Sequence, residues 1–100
     1  MPHQQMNIKT FEAAFKEDSN AVLLDVRTPA EVAEGHLEGA LVIDFLANDF
    51  EQKVMQLDPQ KSYYVYCRSG KRSENACNLM SQKGFEQVTN LQGGYLAWVQ

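Results

Sequence analysis

Cys67 is followed by Arg68-Ser69-Gly70-Lys71-Arg72-Ser73, so one nucleophile stands among three cations, two hydroxyls and a glycine. Arg68, Lys71 and Arg72 are three of nine basic residues in a chain of net charge −4, and the segment reverses the local sign. Such a reversal attracts anions. Ser62-Tyr63-Tyr64-Val65-Tyr66, just before it, has the aromatic and β-branched composition of a buried strand. Residues 74–83, just after it, read as a helix. A cysteine between strand end and helix start meets inward-pointing N–H groups and the positive end of the helix dipole. Both favour the thiolate, which is the nucleophilic form. Gly70 lets backbone approach an anion without a Cβ. Ser69 and Ser73 offer hydroxyl donors, and Ser73 also suits the helix N-cap. Cys67 is therefore the candidate catalytic residue, and Arg68, Ser69, Gly70, Lys71, Arg72 and Ser73 form a candidate anion-binding loop.

This loop resembles the active-site loop of the rhodanese-like sulfurtransferases. Three other stretches are similar to that family's, in the same order: Asp25-Val26-Arg27, then Glu31 leading to Gly35-His36-Leu37-Glu38-Gly39-Ala40, then Gly93-Gly94-Tyr95-Leu96-Ala97-Trp98. The resemblance covers nearly the whole chain. It implies an α/β, three-layer fold: a central, mostly parallel, five-stranded sheet with helices on both faces. It also implies a sulfurtransferase that moves sulfane sulfur from thiosulfate or another persulfide donor, through a Cys67 persulfide, to a thiol or cyanide. Implied partners are a small anionic donor, a thiol or cyanide acceptor, and a protein sulfur donor or acceptor. No cofactor and no metal are implied. Cys67 and Arg72 stand in a Cys-x4-Arg spacing. Tyrosine phosphatases and the related cell-cycle dual-specificity phosphatases use Cys-x5-Arg, and the position that would carry that arginine is Ser73. The shorter loop argues against phosphatase or arsenate-reductase chemistry. A non-enzymatic sulfur-relay or protein-interaction module stays open, since it needs the same loop. A silent regulatory domain fits less well, because such members commonly lack the cysteine.

Size and composition bound these readings. One hundred residues with 44% apolar content suit a single domain with one core, residues 1–6 being a loose end. No stretch approaches the roughly 20 apolar residues of a membrane span. The first six residues lack the features of a secretory signal, so the expected location is cytoplasmic, with a removed signal peptide as the alternative. The acidic balance and the lack of a basic stripe exclude nucleic acid as an expected partner. Two cysteines, Cys67 and Cys77, make neither a disulfide framework nor a metal pattern. Many relatives continue beyond the position of Gln100, so the last helix reads as clipped, and no second unit accompanies this one.

The elements that must hold the loop follow in order. Ile8, Phe11 and Phe15 recur at helical spacing, giving a helix over 7–16. Residues 21–24 form a buried strand running into Asp25-Val26-Arg27. Thr28-Pro29-Ala30-Glu31 is a capping box with proline at the first helical position. Residues 39–44 are a second buried strand, and Asn48-Asp49-Phe50-Glu51 repeats the capping pattern before a helix that ends at Asp58-Pro59. Ala76, Leu79, Met80 and Lys83 share a helical face that Gly84 closes. Val88 and Leu91 mark a last strand, and Gly93-Gly94 opens a closing helix carrying Leu96 and Trp98. Strands alternating with helices imply a parallel sheet whose functional loops lie at strand C-termini. Asp25, Arg27 and Cys67 are therefore expected to face one cleft.

Each candidate also has a structural reading. Cys77 reads as core packing. Arg68 and Lys71 are either donor-attracting or plain solvent-facing charges. Arg72 is open between substrate contact and structural pairing. Asp25 and Arg27, secondary candidates for substrate contact, more readily form strand-end hydrogen bonds or an Arg27–Glu31 ion pair. His36 reads as a packed histidine satisfied by backbone.

Overall fold

The computed structural model describes residues 3–99. Five strands, β1 (Gln4–Met6), β2 (Ala21–Asp25), β3 (Leu41–Val42), β4 (Ser62–Tyr66) and β5 (Gln87–Leu91), alternate with five helices. These are α1 (Ile8–Glu17), α2 (Pro29–Ala33), α3 (Phe50–Val54), α4 (Lys71–Gln82) and α5 (Gly94–Trp98). The strand order is β1-β5-β4-β2-β3 and every pairing is parallel. The α/β, five-stranded, helix-covered architecture is the one the sequence implies.

Side-chain alternation along β4 builds both faces of the sheet. Tyr63, Val65 and Cys67 enter one core with Val54 of α3 and Ala76, Cys77 and Met80 of α4. Tyr64 and Tyr66 enter the other with Phe11 of α1, Leu23 and Leu91, against which Trp98 of α5 packs. Cys67, one residue beyond the strand, thus inherits a fixed inward direction. No described helix is long and apolar enough to cross a membrane.

The sequence reading needs correction at five places. The strand read as buried over 39–44 is only Leu41–Val42, and both residues are exposed because β3 is an edge strand of the sheet. Residues 4–6 are not loose: Gln4, Gln5 and Met6 pair in register with Thr89, Asn90 and Leu91. Too short and polar to announce itself, β1 forms because β5 would otherwise be an open edge; residues 1–2 lie outside the described structure. Helix α4 begins at Lys71 rather than 74, capped by Gly70 with φ 104°, which leaves Ser73 inside its first turn rather than at the N-cap. Helix α3 has Asp49 at its N-cap without a side-chain cap, because Asp49 φ and ψ depart from the extended geometry a cap needs. His36 is exposed, though its Nδ1 stands 3.0 Å from the Leu37 carbonyl oxygen. The capping box at Thr28–Glu31 forms as read.

Candidate active site

Cys67 leaves the end of β4 with its Sγ inside the turn that follows. The Gly70 N–H donates to it at 3.1 Å and the Ser73 hydroxyl at 3.4 Å. Burial raises the pKa of the Cys67 thiol. The Ser73 hydroxyl and the N–H groups of Ser73, Gly70 and Ser69 outweigh that, holding it below the ordinary thiol value. Cys67 is only 1% exposed, so the thiol is covered by its own loop rather than open to a cleft. The amides around it nevertheless point inward, which is what an anion requires.

Helix α5 aims those amides. The Tyr95 N–H donates to the Cys67 carbonyl at 2.8 Å and the Leu96 N–H to the Arg68 carbonyl at 3.0 Å. In a trans peptide C=O and N–H point in opposite directions. Drawing those carbonyls toward α5 turns the N–H groups of Arg68 and Ser69 the other way, into the loop. The approach is this close because Gly94 has no side chain. A Cβ there would lie 2.6 Å from the Arg68 carbonyl and the Cys67 oxygen, at a φ of +60°.

The cations divide. Lys71 is exposed and stands 3.6 Å from Glu74. Arg68 is exposed at the rim of a recess of about 170 Å3 that Tyr95 and Leu96 also line. Arg72 instead makes a two-point ion pair with Glu31 of α2, at 2.7 and 2.8 Å. Its hydrogen bonds are the main reason the Glu31 carboxyl falls to about 2, helped by bonds from Thr28. The Arg27–Glu31 ion pair is not formed, because each partner has a better-placed one: Glu31 takes Arg72, and Arg27 takes Asp25.

Asp25 is fully buried and Arg27 is 3% exposed. Arg27 lines the recess that Arg68 borders, whereas Asp25 and Cys67 do not line it. Arg27 Nη2 donates to Asp25 at 2.7 Å and to the Gly35 carbonyl at 2.7 Å. Its guanidinium lies 4.4 Å from the Tyr95 ring centre. Arg27 thereby ties β2 to the turn after α2 and supports Tyr95. Cys77 is buried in the core and burial pushes its thiol pKa strongly upward. A roomier recess of about 470 Å3, lined by Phe11, Phe15, His36 and Trp98, includes none of residues 67–73. Among the described residues no His, Cys, Asp and Glu cluster could hold a metal ion.

Sequence reasoning missed the backbone of Tyr95 and Leu96 as loop-orienting groups. The Gly93-Gly94 doublet was the available signal, since paired glycines mark a close backbone approach.

Comparison with known families matches residues 8–100 to the rhodanese-like domain. The chain belongs to the rhodanese-like family. A Bacillus subtilis relative, YtwF, whose name proposes a sulfurtransferase, is 42% identical over 98 residues, covering 93% of this chain and 92% of its own. A sulfurtransferase of Allochromatium vinosum is 31% identical, covering 94% and 86%. The crystal structure of a rhodanese-related protein from Thermoplasma volcanium superposes with a TM-score of 0.83 at 28% identity, covering 97% of this chain and 91% of its own. This rhodanese-like domain is thus similar along nearly its full length to sulfurtransferases.

Proposed function

We propose that this rhodanese-like domain is a sulfurtransferase that carries sulfane sulfur as a persulfide on Cys67. The Cys67 thiolate attacks the outer sulfur of thiosulfate; the S–S bond of the donor breaks and sulfite leaves with the electron pair. Cys67 then bears a terminal sulfur with one negative charge, which the inward N–H groups of the loop stabilise. An acceptor thiolate, or cyanide, attacks that terminal sulfur, takes it, and returns Cys67 as a thiolate. Arg68 and Lys71, both exposed, draw the anionic donor toward the loop. The proposed setting is the cytoplasm, where acceptor thiols stay reduced.

One observation carries this reading: the Gly70 N–H and the Ser73 hydroxyl both donate to Cys67 Sγ. Intact-mass spectrometry after thiosulfate treatment tests it. The expected result is a gain of one sulfur atom that is lost on reduction and absent in Cys67→Ser. A mass unchanged by thiosulfate and by persulfide donors would remove Cys67 from sulfur transfer.

A further inference from the structure

Asn90 is a polar residue at 2% exposure whose Oδ1 has no hydrogen-bond partner among the described residues. A buried orphan acceptor is costly, and an apolar residue of similar size would avoid it. What the asparagine supplies is its amide nitrogen. Nδ2 donates to Gln5 Oε1 at 2.8 Å and to the Gly70 carbonyl at 3.3 Å. The orientation is fixed by the partners, since a flipped amide would set Oδ1 against two oxygens. Gln5 is oriented in turn, because its Nε2 donates to Glu74 Oε2 at 3.0 Å. Gln5 and Asn90 are register partners across β1 and β5. The short edge strand is therefore bonded, side chain to side chain, to the first turn of α4 and to the glycine of the loop.

Gly70 is where this matters. The Arg68 carbonyl is held by the Leu96 N–H on one side of the 69–70 peptide. On the other side the Gly70 carbonyl accepts from Asn90 and from the Glu74 N–H. The peptide between these anchors carries the N–H that donates to Cys67 Sγ. With φ at 104°, Gly70 has the broad rotational freedom of its type, so an anchor on its carbonyl limits where that N–H can point.

We propose that Asn90 is a positioning residue for the Cys67 loop, its amide, steadied by Gln5 of β1, holding the Gly70 peptide with its N–H aimed at the sulfur. This rests on the reading that Cys67 is the reactive group. Asn90 makes no hydrogen bond to the sulfur; it acts through Gly70.

The test is the pH profile of Cys67 alkylation by iodoacetamide, with the modified residue located by peptide mass. Asn90→Leu adds and removes no charge and leaves Arg72, the cation whose charge acts on the thiol, in place, so a shift reports the hydrogen bonds. The expected result is a midpoint displaced upward, with alkylation at pH 7 slowed about three- to tenfold and the high-pH limit unchanged. Gln5→Leu, at an exposed position on β1, is expected to shift the profile in the same direction by a smaller amount. Thr89→Val, a neighbouring buried position on β5, is expected to leave it in place. Unchanged profiles in folded Asn90→Leu and Gln5→Leu would overturn the proposal, as would an equal shift in Thr89→Val. If Asn90→Leu does not fold, Gln5→Leu against Thr89→Val decides. Alkylation uses no sulfur donor, so a wild-type thiol that alkylates normally but takes up no sulfur counts against the sulfurtransferase reading alone.

Discussion

Arg72 spends its guanidinium on Glu31, not on the sulfur beside it, in a two-point pair that joins the first turn of α4 to the capping box of α2. Both side chains are about one-fifth exposed, so water screens the pair only in part. Glu31→Gln is expected to cost about 1–3 kcal/mol of stability at neutral pH. The Glu31 carboxyl is depressed from 4.5 to about 2 in the folded chain, so its contribution is fully present above 4.5 and is lost as pH falls toward 2. Urea unfolding of wild type and Glu31→Gln across that range checks this. The gap between the two should close on acidification.

Ser73→Ala removes a hydroxyl from Cys67 Sγ without adding bulk. Sulfur uptake at pH 7 is expected to slow about three- to tenfold, with the rate recovering as pH rises past the thiol midpoint. In wild type that midpoint lies below the ordinary thiol value. A pH–rate profile separates this outcome from a general loss of folding, which would lower the rate at every pH.

Gly94→Ala puts a methyl group 2.6 Å from the loop backbone, so either α5 or the loop must move. The expected result is loss of most sulfur uptake together with a destabilisation of about 2 kcal/mol or more. Gly39→Ala is the matched control. It too has positive φ, 81°, but meets nothing within 4 Å, and should cost about 1 kcal/mol with uptake retained. Thermal unfolding and thiosulfate loading of both variants provide the comparison.

Asp25→Ala leaves the Arg27 guanidinium buried without its carboxylate. A cost of about 3–5 kcal/mol is expected. Whatever fraction stays folded at low temperature should keep the wild-type KM for thiosulfate, because Asp25 is fully buried and offers a donor no surface. Steady-state kinetics below the unfolding transition measure this.

The sequence made the central layers legible because strong local signals agreed with tertiary demand. Tyr63 to Tyr66 alternate between two cores, and Thr28, Pro29 and Glu31 build a helix start from chemistry within four residues. The Cys67 loop was equally visible, since its cations and glycine are contiguous. What stayed hidden depends on partners distant in sequence. Gln4 to Met6 carry no strand signal and become β1 only because β5 offers an edge. Arg27 meets both Asp25 and Glu31 at short spacing, and the choice between them follows from Arg72 arriving 41 residues later to take Glu31. The orienting N–H groups of Tyr95 and Leu96 belong to the backbone, which leaves no trace in side-chain type.

The second thiol, Cys77, has no exposed surface and a proton held tightly by burial. It cannot serve as an internal discharger for cargo on its neighbour. A loaded chain would therefore stay loaded until some outside nucleophile met it, and how long it held its sulfur would be set by the abundance of that visitor rather than by any clock within the fold.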